Sequence, residues 1–127
     1  MKYLCLIYID EALRQKMPKA EADKIFGEFV AFTESIRGSG HYLGANRLQP
    51  TNAATTVRVR SGKTLTTDGP FAETKEQLGG YYLVEAASLE EAIGVAARIP
   101  SARFGSIEVR PVMEVPANVQ SALASVE

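Results

Sequence analysis

Two short runs constrain this chain more than anything else in it. Residues 2 to 9, Lys-Tyr-Leu-Cys-Leu-Ile-Tyr-Ile, and residues 81 to 86, Tyr-Tyr-Leu-Val-Glu-Ala, are apolar at nearly every position. A strand with one wet face alternates apolar and polar side chains, because successive residues point to opposite faces. A strand that does not alternate needs cover on both faces, so both runs belong in the middle of a sheet.

The rest of the chain supplies the partners. Residues 10 to 17 read as a mixed connector with a short helical turn. A helix is predicted over 18 to 37, with Ala22, Ile25, Phe26, Phe29, Val30 and Ile36 as its apolar stripe. Glu21, Lys24, Glu28 and Glu34 take its wet side, Pro18 its first turn, and Gly38-Ser39-Gly40 its end. Residues 41 to 48 give a second strand and Pro50 to Ala53 a loop. Thr55 to Arg60 and Lys63 to Thr67 form a hairpin around Ser61-Gly62. Gly79-Gly80 allow a bend or close backbone approach before the second apolar run. A second helix spans 88 to 99, opened by a Ser88/Glu91 capping box and ended by Pro100, with Leu89, Ala92, Ile93, Ala96 and Ala97 facing inwards. The last core strand is 106 to 110, with Ile107 and Val109 on one face and Glu108 and Arg110 on the other.

Without the hairpin the order is strand, helix, strand, strand, helix, strand. That is the split arrangement of ferredoxin-like α+β domains, βαββαβ with an antiparallel sheet, here carrying an inserted β-hairpin. In that topology the first and third strands are central, and these are the two wholly apolar runs. Two helices cover only one sheet face. The other would expose Leu, Ile, Tyr and Val, the mark of an interface. A second copy packing sheet against sheet is expected, giving a two-fold homodimer. The competing arrangement folds the hairpin back over the open face within one chain.

A length of 127 residues suits one domain, 1 to 115, with a small, polar tail over 116 to 127. The formal net charge of −1 and the scattered basic residues argue against a general nucleic-acid binder. No stretch approaches the length of a membrane span, and the N-terminal apolar run stops at Asp10 and Glu11, too early for a signal peptide. A cytoplasmic location is the expectation. Cys5, the sole cysteine, reads as core packing.

The segment 67 to 83 reads Thr-Asp-Gly-Pro-Phe-Ala-Glu-Thr-Lys-Glu-Gln-Leu-Gly-Gly-Tyr-Tyr-Leu. Together with the opening Lys-Tyr-Leu-Cys-Leu-Ile-Tyr, the Ala-Thr-Thr-Val-Arg at 54 to 58 and the Ile-Glu-Val-Arg-Pro-Val at 107 to 112, it resembles the YCII-related family, in particular its DGPF subgroup. The resemblance runs from Met1 to about Val115. It implies a dimeric α+β barrel, in which two ferredoxin-like protomers join their sheets around a cleft. It implies no settled reaction. Relatives in the wider family have been proposed as small-molecule enzymes on a His–Asp pair, and members of the subgroup often accompany extracytoplasmic-function sigma factors.

Candidate chemistry starts with Asp68. Its carboxylate can accept backbone N–H bonds in an Asx-type turn. In the functional reading it is a general acid or base, which needs burial or a neighbouring charge. His41, the only histidine, is the second acid–base candidate. Arg58, Lys75, Glu108 and Arg110 are the substrate-binding candidates. A guanidinium holds a carboxylate or phosphate with two bonds, and Glu108 and Arg110 project the same way from one strand, as an ion pair or as a ligand clamp. Phe71 is expected to anchor its loop in apolar surroundings. One His and one Cys cannot build a convincing metal site, so no metal or cofactor is implied.

Two functions follow as expectations. The first is a small cofactor-free enzyme, with Asp68 moving protons on a small, anionic metabolite in the dimer cleft. The second is a non-catalytic ligand-binding or regulatory protein linked to sigma-factor transcription.

Overall fold

The N-terminal run is a strand, β1 (Lys2–Ile9), paired antiparallel on both sides. The computed structural model describes residues 1–119. A short helix, α1 (Glu11–Gln15), and a long one, α2 (Lys19–Gly38), follow. Next come β2 (Tyr42–Arg47), the hairpin strands β3 (Thr55–Arg60) and β4 (Lys63–Asp68), and β5 (Gln77–Glu85). Helix α3 (Leu89–Ala97), a 3-10 turn at Pro100–Arg103 and β6 (Ser106–Pro111) come next.

The main sheet is antiparallel, in the order β2-β5-β1-β6, and β3 and β4 form a separate two-stranded sheet. Both sheets are open; neither closes into a barrel within the chain. The central strands are β1 and β5, which carry the two apolar runs. Strand β5 begins earlier than its apolar run, at Gln77, and takes in Gly79 and Gly80. Opposite them the register slips: Ile7 pairs with Gly80 and Tyr8 with Leu78, leaving Gly79 as the extra residue of a β-bulge.

One face of the main sheet packs on the helices. Tyr3, Cys5, Ile7 and Ile9 of β1, and Tyr82 and Val84 of β5, are buried there with Phe32 and Ile36 of α2 and Ala92, Val95 and Ala96 of α3. Phe32 meets Tyr82 edge-on, with ring centroids 5.1 Å apart. The helix stripes differ from the expected ones. On α2, Phe32 joins Ile36 as a buried residue of the stripe, while Ala22, Phe26 and Val30 stay exposed. On α3, Leu89, Ile93 and Ala97 are exposed, Ala92 and Ala96 are buried as expected, and Val95 is buried with them. Both helices carry apolar residues on more than one side, and the sheet selects which side is covered. In the capping box of α3, Ser88 Oγ accepts from Glu91 N–H at 3.2 Å, while the Glu91 carboxylate accepts from Ala87 N–H, one residue before the cap.

Among the described residues, no helix packs on the other face. Cross-strand partners put Leu4, Leu6, Tyr8, Leu78, Tyr81 and Leu83 in its centre, all half-buried. Its edges are polar. Asn46 Nδ2 donates to the Tyr81 hydroxyl at 2.8 Å, and the Tyr8 hydroxyl reaches Glu108 at 3.4 Å. The hairpin does not fold down over this face. Val57, Val59 and Leu65 are all exposed, on both sides of the two-stranded sheet. At its tip Ser61 and Gly62 both have positive φ, 51° and 74°, the primed turn that suits the twist of a two-residue hairpin loop.

Candidate functional site

A cavity of about 280 Å³ lies between the helix-covered face of the main sheet and the first half of α2. Its floor is Ile7, Ile9, Ala45, Gly79, Gly80 and Tyr82, and its roof is Ala22, Ile25, Phe26 and Phe29. Ser101 and Phe104, from the turn after α3, close one side. Arg14, Met17 and Arg47 stand at the other.

The floor is low because β5 has no side chains there. A Cβ on Gly80 would come within 2.8 Å of the Asn46 carbonyl oxygen, and one on Gly79 within 3.3 Å of the Ile9 side chain. The wall at Arg14 is held by α1. The Asp10 carboxylate caps this helix, accepting from Ala12 N–H at 2.9 Å. The Glu11 carboxylate accepts from Thr51 N–H at 2.9 Å and from the Thr51 hydroxyl at 2.6 Å, and Glu11 N–H donates to Gln77 Oε1 at 2.9 Å. These bonds fasten α1 to the loop before β3 and to the start of β5. Arg47 is the last residue of β2, and its guanidinium lies 5.6 Å from the centre of the Phe26 ring.

The chemistry of the lining is narrow. Among the described residues, no Asp, Glu, His, Lys or Cys lines the cavity. Tyr82 is pinned: Thr33 Oγ1 donates to the Phe29 carbonyl at 2.9 Å, so the Tyr82 hydroxyl, 2.7 Å away, donates to Thr33. Burial pushes the Tyr82 phenol above its ordinary pKa. Ser101 is 2% exposed, and its hydroxyl oxygen has no hydrogen-bond partner among the described residues. Among the described residues, no three His, Cys, Asp or Glu side chains stand together as a metal site.

None of the six side chains singled out from sequence lines this cavity. Asp68 is exposed at the end of β4. His41 sits at the far end of the sheet, with Nδ1 2.6 Å from Ser39 Oγ and Nε2 2.8 Å from Glu91. Arg58 is half-buried in the hairpin, its guanidinium 5.6 Å from the Phe71 ring centre. Phe71 itself is 79% exposed, so it does not anchor its loop in apolar surroundings; the Arg58 guanidinium lies over its ring. Lys75 is exposed. Glu108 and Arg110 form an ion pair on the uncovered face, Arg110 Nε donating at 2.9 Å. The pair holds the Arg110 pKa above its usual value, chiefly through that hydrogen bond.

The residues that sequence reading missed are Arg14, Arg47 and Ser101. Each is unremarkable in its local context. The available signal was Gly79-Gly80, which pointed to close approach and marks the cavity floor. Among the described residues no helix is long and apolar enough to cross a membrane.

Residues 1–116 match the family model of the YCII-related domain. The chain is also similar to an uncharacterized protein of Rhizobium meliloti (strain 1021), 41% identical over 114 residues, which span 88% of this chain and 92% of that protein. With nearly its whole length matched in this way, the chain belongs to the YCII-related family.

Proposed function

We propose that this protein binds a small, largely apolar molecule in the cavity between α2 and the main sheet, as a ligand-binding protein and not as an acid–base catalyst. The lining carries this reading. It is an apolar hollow of ligand-binding size with few polar groups, and no Asp, Glu, His, Lys or Cys of the described residues lines it. A general acid or base must stand within hydrogen-bond reach of the proton it moves, and Asp68 and His41 lie outside the lining. The unpaired Ser101 hydroxyl in the wall adds support. Buried polar groups are rarely left without a partner, and an occupant reaching it would supply one.

The strand order β2-β5-β1-β6 supports a ferredoxin-like topology, and Asp68-Gly69-Pro70-Phe71 supports the DGPF subgroup. The uncovered face, apolar in its middle and polar at its rim, has the anatomy of a protein interface and supports a homodimer built sheet to sheet. In that arrangement the α2 cavity stays on the outside of each protomer, open to ligand.

The test is titration with N-phenyl-1-naphthylamine, a neutral probe that brightens in apolar sites. The unaltered protein is expected to bind it saturably. Ala22→Trp, at an exposed helix position on the cavity's roof, should block it without unfolding the chain. Binding that is equally strong in Ala22→Trp would refute the location.

A further inference from the structure

We infer that the natural occupant carries a single oxyanion head, a carboxylate or a phosphate ester, on an apolar body, and that Arg14 and Arg47 hold that head at the cavity mouth. The inference rests on the cavity being the binding site and adds the class of ligand it takes.

The two arginines come from separate elements, α1 and the end of β2, and both line the cavity. Arg103 and Arg110 are each paired with a carboxylate, Glu28 and Glu108. Among the described residues, no carboxylate stands within ion-pair distance of Arg14 or Arg47. No acidic side chain of the described residues lines the cavity either. Two uncompensated positive charges therefore border an otherwise apolar hollow.

Guanidinium groups suit an oxyanion better than a point cation does, because their planar fork matches two oxygens at once. Contact with the Phe26 ring steadies the Arg47 fork at the rim. An apolar body seated below would displace water there and lower the local dielectric, strengthening the attraction. Inside, Ile7, Ile9, Ile25, Phe29 and Phe104 offer only apolar contact. The volume is roughly twice the ~150 Å³ that accepts a six-carbon benzene ring, which leaves room for a body of up to roughly eleven carbons.

The test is displacement of the bound naphthylamine probe by octanoate, octyl phosphate and 1-octanol, three molecules with the same tail. At least one of the two oxyanions should displace the probe at roughly tenfold lower concentration than octanol. Arg14→Gln and Arg47→Gln should each erode that advantage and leave octanol unchanged, and added salt should weaken it. Arg60→Gln, on the hairpin, should alter nothing. If octanol competes as well as both oxyanions, and the two arginine variants behave like the parent, the charge preference is wrong while the binding site stands. If no compound displaces the probe and Ala22→Trp leaves its binding intact, the site itself is wrong and the inference goes with it.

Discussion

His41 Nε2 lies 2.8 Å from the Glu91 carboxylate while its Nδ1 lies 2.6 Å from Ser39 Oγ, so both ring nitrogens are engaged. The ring clips the end of α2 and the start of β2 to the first turn of α3. A histidine held this way acts as a fastener between elements. His41→Gln is expected to leave probe binding unchanged and to lower the melting temperature slightly. Parallel titration and thermal melts check this. Lost binding with an unchanged melt would return His41 to the site.

The same clip gives a pH dependence with a definite sign. The hydrogen bond from His41, then that from Ala87 N–H, holds Glu91 below the usual carboxylate range. Glu28 is shifted the same way, first by its hydrogen bond from Arg103. A folded-state pKa below the unfolded one makes the unfolded chain the better proton acceptor. The stabilisation is complete above the ordinary carboxylate pKa and is lost as pH falls through the lower folded value. Glu91→Gln should flatten the acid side of a stability–pH curve measured by urea midpoints. An unchanged acid slope would count against the clip.

Cys5 is fully buried in β1, and burial pushes its thiol up to about 11. The thiolate is the reactive form. At pH 8 a disulfide reagent should label the folded protein at least about a hundredfold more slowly than the unfolded chain. Rapid labelling under native conditions would show that the sheet opens far more often than its packing suggests.

Gly80 lies where β2 and β5 come closest to the cavity floor. With the Asn46 carbonyl only 2.8 Å from the place of a Cβ, Gly80→Ala must push backbone against backbone. A loss of roughly 1–3 kcal/mol is expected, as for other overpacked interior sites. A denaturant midpoint equal to that of the parent protein would mean that β2 moves away without cost.

Leu83 sits in the middle of the uncovered face, directly opposite Leu4. If two protomers join there, Leu83→Asp places a charge in the centre of the joint, where an unpaired buried charge is severely unfavourable. The parent is expected to sediment as a dimer and the variant as a monomer, with its helices retained. A parent mass that stays monomeric at every concentration would remove the sheet-to-sheet dimer.

The two runs without alternation announced the centre of the sheet because double-sided cover leaves a direct mark on composition. Glu108 and Arg110 could be placed on one face for an equally simple reason, the two-residue repeat of a strand. The helices were harder. Helix α2 has apolar residues at 25, 26, 29, 30, 32 and 36; Phe32 falls on the same stripe as Phe29 and Ile36 and packs into the core with them, whereas Phe26, on that inward side too, stays exposed because it faces the cavity and not a packed core. The cavity was least legible. Arg14, Arg47 and Ser101 are far apart in the chain and meet only through strand register and the seat of α1. Asp68, by contrast, drew notice from a conspicuous turn sequence that ends at an exposed strand terminus.

The bulge at Gly79 has a consequence for how selective the hollow can be. A recess made by swinging a helix outwards would breathe with that helix and accept guests of many sizes. Here the depth comes from a missing layer of side chains in a strand bonded on both flanks, so the base of the recess is as stiff as the ladder that carries it. Shape discrimination is therefore set from below by the backbone, and adaptation to a different guest must come from the residues overhead and at the entrance.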